Sequence, residues 1–145
     1  MSDLFAAAHP QEVVAYIDGG ARGNPGPAGF GVRIERPDGA LVEELHESIG
    51  IATNNIAEYR GLLAALEWAT SHGCRPVHIR SDSLLLVQQM RGNYKVKNPG
   101  LVPLHARARG LAAGIGAVTF AHVPREANTH ADRLANRAMD AATEA

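Results

Sequence analysis

Four acidic residues occupy positions where carboxylates can do chemistry: Asp18, Glu58, Asp82 and Asp132. Asp18 closes an apolar run onto Gly19-Gly20, and a turn aspartate is the ordinary explanation. Glu58 completes capping-box spacing in Asn55-Ile56-Ala57-Glu58. Asp82 precedes a helical segment as an N-cap would, and Asp132 falls in a first helical turn, where negative charge favours the helix dipole. Yet Glu58 shares a helical row with Leu62, Ala65 and Ala69, and Asp132 with Ala135 and Met139. Both therefore border buried stripes, where a carboxylate is costly unless a cation or hydrogen bonds meet it. Four carboxylates brought to one rim without matching cations repel one another, and one or two Mg²⁺ ions are the economical remedy. Two such ions about 4 Å apart can hold an attacking water and a leaving oxygen on either side of a phosphorus. That chemistry is phosphodiester hydrolysis, and oxygen ligands also admit Mn²⁺ as a substitute.

The elements that must position these acids follow from periodicity. Residues 13–18 alternate two largely apolar faces, Val14/Tyr16 and Val13/Ala15/Ile17, as a strand covered on both sides requires. Residues 19–29 hold five glycines and two prolines and read as a loop. Residues 29–35 and 40–49 flank Pro37-Asp38-Gly39 as a hairpin. Residues 55–70 carry the helical stripe Tyr59, Leu62, Leu63, Leu66 and Trp68/Ala69, stopped by Gly73. A short strand at 77–81, a helix at 83–90, a basic connection at 91–103 and a helix at about 105–113 come next. A strand at 118–123 precedes a closing helix, about 129–142, that buries Ala131, Leu134, Ala135, Ala138 and Met139. The order β-β-β-α-β-α-α-β-α predicts an α/β fold: one five-stranded mixed sheet, antiparallel strands first and parallel ones later, flanked by helices.

A chain of 145 residues is long enough for one domain with a proper core and too short for two. The core is expected over about 13–142, behind a short flexible N-terminus, 1–10. That N-terminus lacks the basic start and long apolar run of a secretory signal, and no run is long enough to cross a membrane. Cys74 is the single cysteine and cannot form an internal disulfide, so a reducing, cytoplasmic location is expected; a monomer is the expected state. The net charge of −1 is low for a phosphate binder. Setting aside four carboxylates that hold cations leaves a surface of about +3. No Gly-Lys-Ser/Thr follows the glycine-rich stretch, which excludes a P-loop NTPase.

Several segments are recognisable together: Tyr16-Ile17-Asp18-Gly19-Gly20-Ala21-Arg22-Gly23-Asn24-Pro25, Thr53-Asn54-Asn55-Ile56-Ala57-Glu58-Tyr59, Ser81-Asp82-Ser83, Val96-Lys97-Asn98 and Asn128-Thr129-His130-Ala131-Asp132. On these the chain resembles type 1 ribonuclease H over about residues 13–139. The resemblance implies a ribonuclease H-like fold and an endoribonuclease that cuts the RNA strand of RNA–DNA hybrids, leaving 3′-hydroxyl and 5′-phosphate ends. It places the ligands of two Mg²⁺ ions on Asp18, Glu58, Asp82 and Asp132. Gly19, Asn24, Asn54 and Asn55 resemble the groups that approach the hybrid's minor groove, where 2′-hydroxyls mark RNA. Thr53 and Asn24 resemble a pocket for a DNA-strand phosphate. Lys95 and Lys97 add nonspecific attraction.

The chain departs from better-known relatives in three places. Leu84 stands where some carry an amide that touches RNA. The connection 91–103 is too short for a basic helical protrusion, which makes this a compact member. Many relatives have a mobile assisting histidine. An ungapped count from Asp132 puts His122 there, whereas the short loop 123–128 brings Arg125 nearer, and His130 is a third candidate. Arg125 is favoured, acting on developing phosphate charge because arginine is no general base. A noncatalytic hybrid-binding module would be expected to lose an acid, and none is missing. Another nuclease of the same fold lacks support from the Asn24 and Thr53-Asn54-Asn55 motifs.

Overall fold

The structure is a computed structural model that describes residues 11–144. The N-terminus expected to be flexible lies outside them. The elements are β1 (Val13–Ala21), β2 (Gly26–Glu35), β3 (Leu41–Ala52), α1 (Asn54–Ser71), β4 (Val77–Ser81), α2 (Leu84–Met90), α3 (Val102–Ile115), β5 (Val118–His122) and α4 (Thr129–Glu144). A 3-10 turn, Arg125–Ala127, precedes α4.

The five strands lie in the order β3-β2-β1-β4-β5. The β1–β2 and β2–β3 pairs are antiparallel, and the β1–β4 and β4–β5 pairs are parallel. Parallel neighbours need crossovers, and α1 supplies the first while α2 and α3 supply the second. On one face Val13, Ala15, Ile17, Phe30, Val32, Ile34, Val77 and Ile79 join Tyr59, Leu62 and Leu66 of α1 in the main core. The opposite face of β2 presents Gly29 and Gly31, whose missing side chains let the Ala131–Ala138 stretch of α4 lie directly on the strand. Ala131, Leu134, Ala135, Ala138 and Met139 are buried as the helical spacing predicts.

The expected loop at 19–29 is mostly strand. β1 runs on to Ala21 and β2 begins at Gly26, with Gly20 paired to Gly29. Glycine weakens strands by entropy, but here the small residues are the contact surface for two helices, and packing outweighs propensity. The turn proper shrinks to residues 22–25, where Gly23 holds φ at +82°. α3 starts three residues earlier than expected, because Pro103 sits in its first turn, where a missing N–H costs nothing. β3 extends to Ala52 across a register shift opposite Ala28/Gly29. Residues 91–101 hold no helix, in keeping with a compact connection.

Candidate active site

The parallel ladder between β1 and β4 ends at the pair Ile17–Ser81. Asp18, within β1, and Asp82, just past the end of β4, come next, so two carboxylates emerge side by side where the parallel ladder stops, at the carboxyl end of β4. This is where ligand sites gather in α/β sheets. α1 brings Glu58 from one face of the sheet and α4 brings Asp132 from the other. All four acids line one groove of about 500 Å³, together with Gly19, Gly20, Ala21, Arg22, Asn54, Ser83, His122 and Arg125.

The close approach of α1 depends on Gly19. A Cβ there would collide with the backbone of Ala57 and Glu58, so the missing side chain lets the first turn of α1 rest against β1. That turn is capped by Thr53, whose hydroxyl accepts from the Ile56 N–H at 3.2 Å. Asn55 is therefore inside the helix, and the capping-box reading of Asn55 and Glu58 is corrected. Glu58 is free of cap duty, and the nearby Ser83 hydroxyl favours its charged form. Ser83, not Asp82, caps α2, accepting from the Leu86 N–H at 3.2 Å. Asp82 is thereby left to the groove.

Burial pushes the Asp18 carboxyl up to about 8, with repulsion from Asp82 and Asp132 adding to it and the Gly19 N–H, 3.0 Å away, opposing it. Burial likewise raises Glu58 to about 7, against the Ser83 hydroxyl and with Asp82 contributing. Among the described residues none of the four acids is paired with lysine, arginine or histidine. Nor do any three acidic, histidine or cysteine side chains among them close into a ready-made cage. The donor set is an open row of oxygens with uncompensated charge, which suits a hard divalent cation that keeps water and shares its coordination with a substrate phosphate.

Other groups hold the acids in place. Asn136, one turn after Asp132, donates to its carboxylate at 3.2 Å and to its carbonyl at 3.0 Å. Arg22 donates to Asn136 at 3.3 Å and pairs with Asp140 at 2.9 Å. Ser83, Asn136 and Arg22 went unnoticed as site residues in the sequence. The i, i+4 spacing of Asp132 and Asn136 was a legible signal for one of them; Arg22 depends on tertiary contact.

Asn54 and Gly19 line the groove, and Asn54 Oδ1 accepts from the Ala21 N–H at 2.8 Å. Asn24 Oδ1 accepts from the Asn54 N–H at 3.0 Å, which ties the 22–25 turn to the start of α1. Asn24 and Asn55 are exposed beside the groove and Thr53 is half-buried. Lys95 and Lys97 are exposed on the connection between α2 and α3, outside the groove lining. His122 and Arg125 both line it, with His122 Nε2 3.2 Å from the Asp82 carbonyl oxygen. His130 is exposed and outside it.

This sheet order, with acids where the β1–β4 ladder stops and near the starts of two helices, defines a ribonuclease H-like α/β domain. A family model described as reverse transcriptase-like matches residues 16–138. The ribonuclease HI of Halobacterium salinarum is 43% identical over 142 residues, which cover 96% of this chain and 71% of that protein. A bifunctional protein of Mycobacterium tuberculosis is 48% identical over 134 residues, covering 92% of this chain and 37% of its own length. The chain thus spans little more than a third of these mycobacterial relatives. The structure of the N-terminal ribonuclease H domain of the latter has a TM-score of 0.89 at 47% identity, covering 92% of this chain and 97% of that one. A ribonuclease H1 from compost, solved in complex with an RNA/DNA hybrid, has a TM-score of 0.86 at 43% identity, covering 90% and 99%. The chain belongs to the ribonuclease HI family.

Proposed function

We propose that this protein is an endoribonuclease that hydrolyses the RNA strand of RNA–DNA hybrids with two Mg²⁺ ions, giving 3′-hydroxyl and 5′-phosphate ends. The observation that carries the reading is the convergence of Asp18, Glu58, Asp82 and Asp132, from two strands and two helices, on one groove. Asp18 and Glu58 are lifted to about 8 and 7 by burial, with repulsion from Asp82 on both and from Asp132 on Asp18, so a cation bound among them would displace their protons to solvent. Asp18, Glu58, Asp82 and Asp132 would hold the magnesium, which would supply Lewis acidity and lower the pKa of water there. Mn²⁺ suits the same oxygens.

The chain's own groups do the remainder. Asn54 and the backbone at Gly19 present short polar groups at the groove wall, where a strand bearing 2′-hydroxyls can be told from DNA. Asn24 and Thr53 brace that wall and face the second strand's phosphates. Arg125 brings a positive charge to the groove the acids line, to steady charge that develops on phosphate. Lys95 and Lys97 add sequence-independent attraction that weakens as salt rises. The protein works as a monomer in the cytoplasm.

The test labels each strand of a hybrid separately and compares it with duplex RNA and duplex DNA, in Mg²⁺ and in chelator. Cleavage confined to the RNA strand of the hybrid, and lost in chelator, is expected. Binding of the hybrid without cleavage at any Mg²⁺ or Mn²⁺ concentration would reduce the domain to a hybrid-binding module.

A further inference from the structure

Asn128 is 1% exposed, and few polar side chains among the described residues are buried so completely. Its Nδ2 donates to the Ile17 carbonyl at 2.9 Å, across 111 residues of sequence. Ile17 is the last β1 residue in the ladder with β4, and Asp18 follows it. The Asn128 carbonyl accepts from the Asp132 N–H at 3.0 Å, the first helical hydrogen bond of α4. One residue thus binds the backbone immediately before one acid and the backbone of another. Its own N–H is anchored to the Arg125 carbonyl at 2.9 Å, so the 3-10 turn that carries Arg125 joins the same tie.

The Asn128 Oδ1 is buried without a hydrogen-bond partner. An unpaired buried oxygen is destabilising, and an aliphatic side chain of similar size would avoid it. The amide orientation is nevertheless unambiguous, since reversing it would set two carbonyl oxygens against each other. A residue kept for packing alone would not carry half its polar capacity unmet.

We infer that Asn128 is a positioning residue for the acid site: by linking the Ile17 carbonyl to the start of α4, it sets the spacing of Asp18 and Asp132 for the cations they share. The inference rests on the proposed metal-dependent cleavage. When both are ionised these two carboxylates repel each other, and the tie resists their separation. Partners of metal-binding groups typically change metal affinity or activity by about 10–100-fold when removed.

The experiment compares wild type with Asn128→Ala and Asn128→Ser, the latter keeping a short donor. The control is Gln89→Ala, which deletes a buried amide hydrogen-bonded to Tyr59 at 2.7 Å, away from the groove. Mg²⁺ affinity is measured by calorimetry on substrate-free protein, and hybrid cleavage is measured well below each melting temperature. In Asn128→Ala, Mg²⁺ affinity and kcat are expected to fall about tenfold or more, with KM for the hybrid within about twofold of wild type. Asn128→Ser should recover part of both losses, and Gln89→Ala should lose melting temperature only. If Asn128→Ala binds Mg²⁺ and turns over like Gln89→Ala at matched stability, the inference is wrong. It is equally wrong if neither Asn128 variant folds, because the residue then serves the fold alone. A wild type that does not cleave hybrids would instead overturn the proposed function.

Discussion

The four acids share one groove, but their surroundings differ. Asp82 emerges at a strand end with Ser83 taking the cap of α2, so it is free to serve as a ligand. Asp82→Asn removes a charge and almost no volume. We expect it to abolish cleavage, by at least about a hundredfold, with an unchanged circular dichroism spectrum; near wild-type turnover would reject the metal-site assignment. Arg125 and His122 reach the same groove from the two ends of one loop. A charge-assisted contact is worth about 1.5–3 kcal/mol, so Arg125→Ala should lower kcat roughly tenfold or more with little change in KM. Arg125→Lys should restore part of it. Loss of a pH-dependent limb in His122→Ala, with Arg125→Ala like wild type, would transfer the role to the histidine.

At the level of elements, the site exists because helices lie unusually close to strands. Gly19 admits the first turn of α1, and Gly29 and Gly31 admit α4. These contacts carry Glu58 and Asp132 to the point where the β1–β4 ladder stops, beside Asp18 and Asp82. Gly19→Ala must push α1 outward, since the colliding atoms are helix backbone and cannot rotate aside. Overpacking of this kind costs about 1–3 kcal/mol. We expect denaturant titration to show that loss and cleavage to fall by more than the unfolded fraction accounts for, because Glu58 is displaced. Gly39→Ala, where a new Cβ meets nothing within 4 Å and only the φ of +91° opposes it, should destabilise and leave cleavage intact.

For the molecule as a whole, the uncompensated acids make the site a weak point of the fold. Asp18 and Glu58 have folded-state pKa values raised to about 8 and 7 from ordinary values of 3.8 and 4.5. The folded state therefore holds these protons more tightly than the unfolded chain. Their stabilising contribution is complete below about pH 4 and is lost as pH rises through about 7 to 8. In chelator, Asp18→Asn should match wild type near pH 4 and melt higher at pH 8. Each tenfold difference in proton affinity between the folded and unfolded chain is worth about 1.4 kcal/mol, or roughly 4 °C in melting temperature for a domain of this size. Millimolar Mg²⁺ should raise the wild-type melting temperature at pH 8. That rise should disappear when Asp18 and Asp132 are both changed to Asn; an unchanged rise would place the cations elsewhere.

The types and order of the elements were legible in the sequence, because period-2 and period-3.6 spacing of apolar residues reports which face of each element is buried. Glu58 and Asp132 were legible for the same reason, since they border buried helical stripes, and Asp82 because it follows a strand; Asp18 was expected to end β1, which instead runs on to Ala21. Cap identities were misread at Asn55 and Asp82, since neighbouring Thr53 and Ser83 offer the same chemistry and only backbone geometry selects between them. Residues 19–29 looked like a loop because glycine has poor strand propensity. Only the tertiary structure shows that the missing side chains are the seats of two helices. Distances between elements depend on register and on contacts such as Asn128 to Ile17, which span most of the chain. Local spacing tells where a side chain points from its own element, but it carries no information on which distant backbone it meets, or on the burial that lifts Asp18 and Glu58.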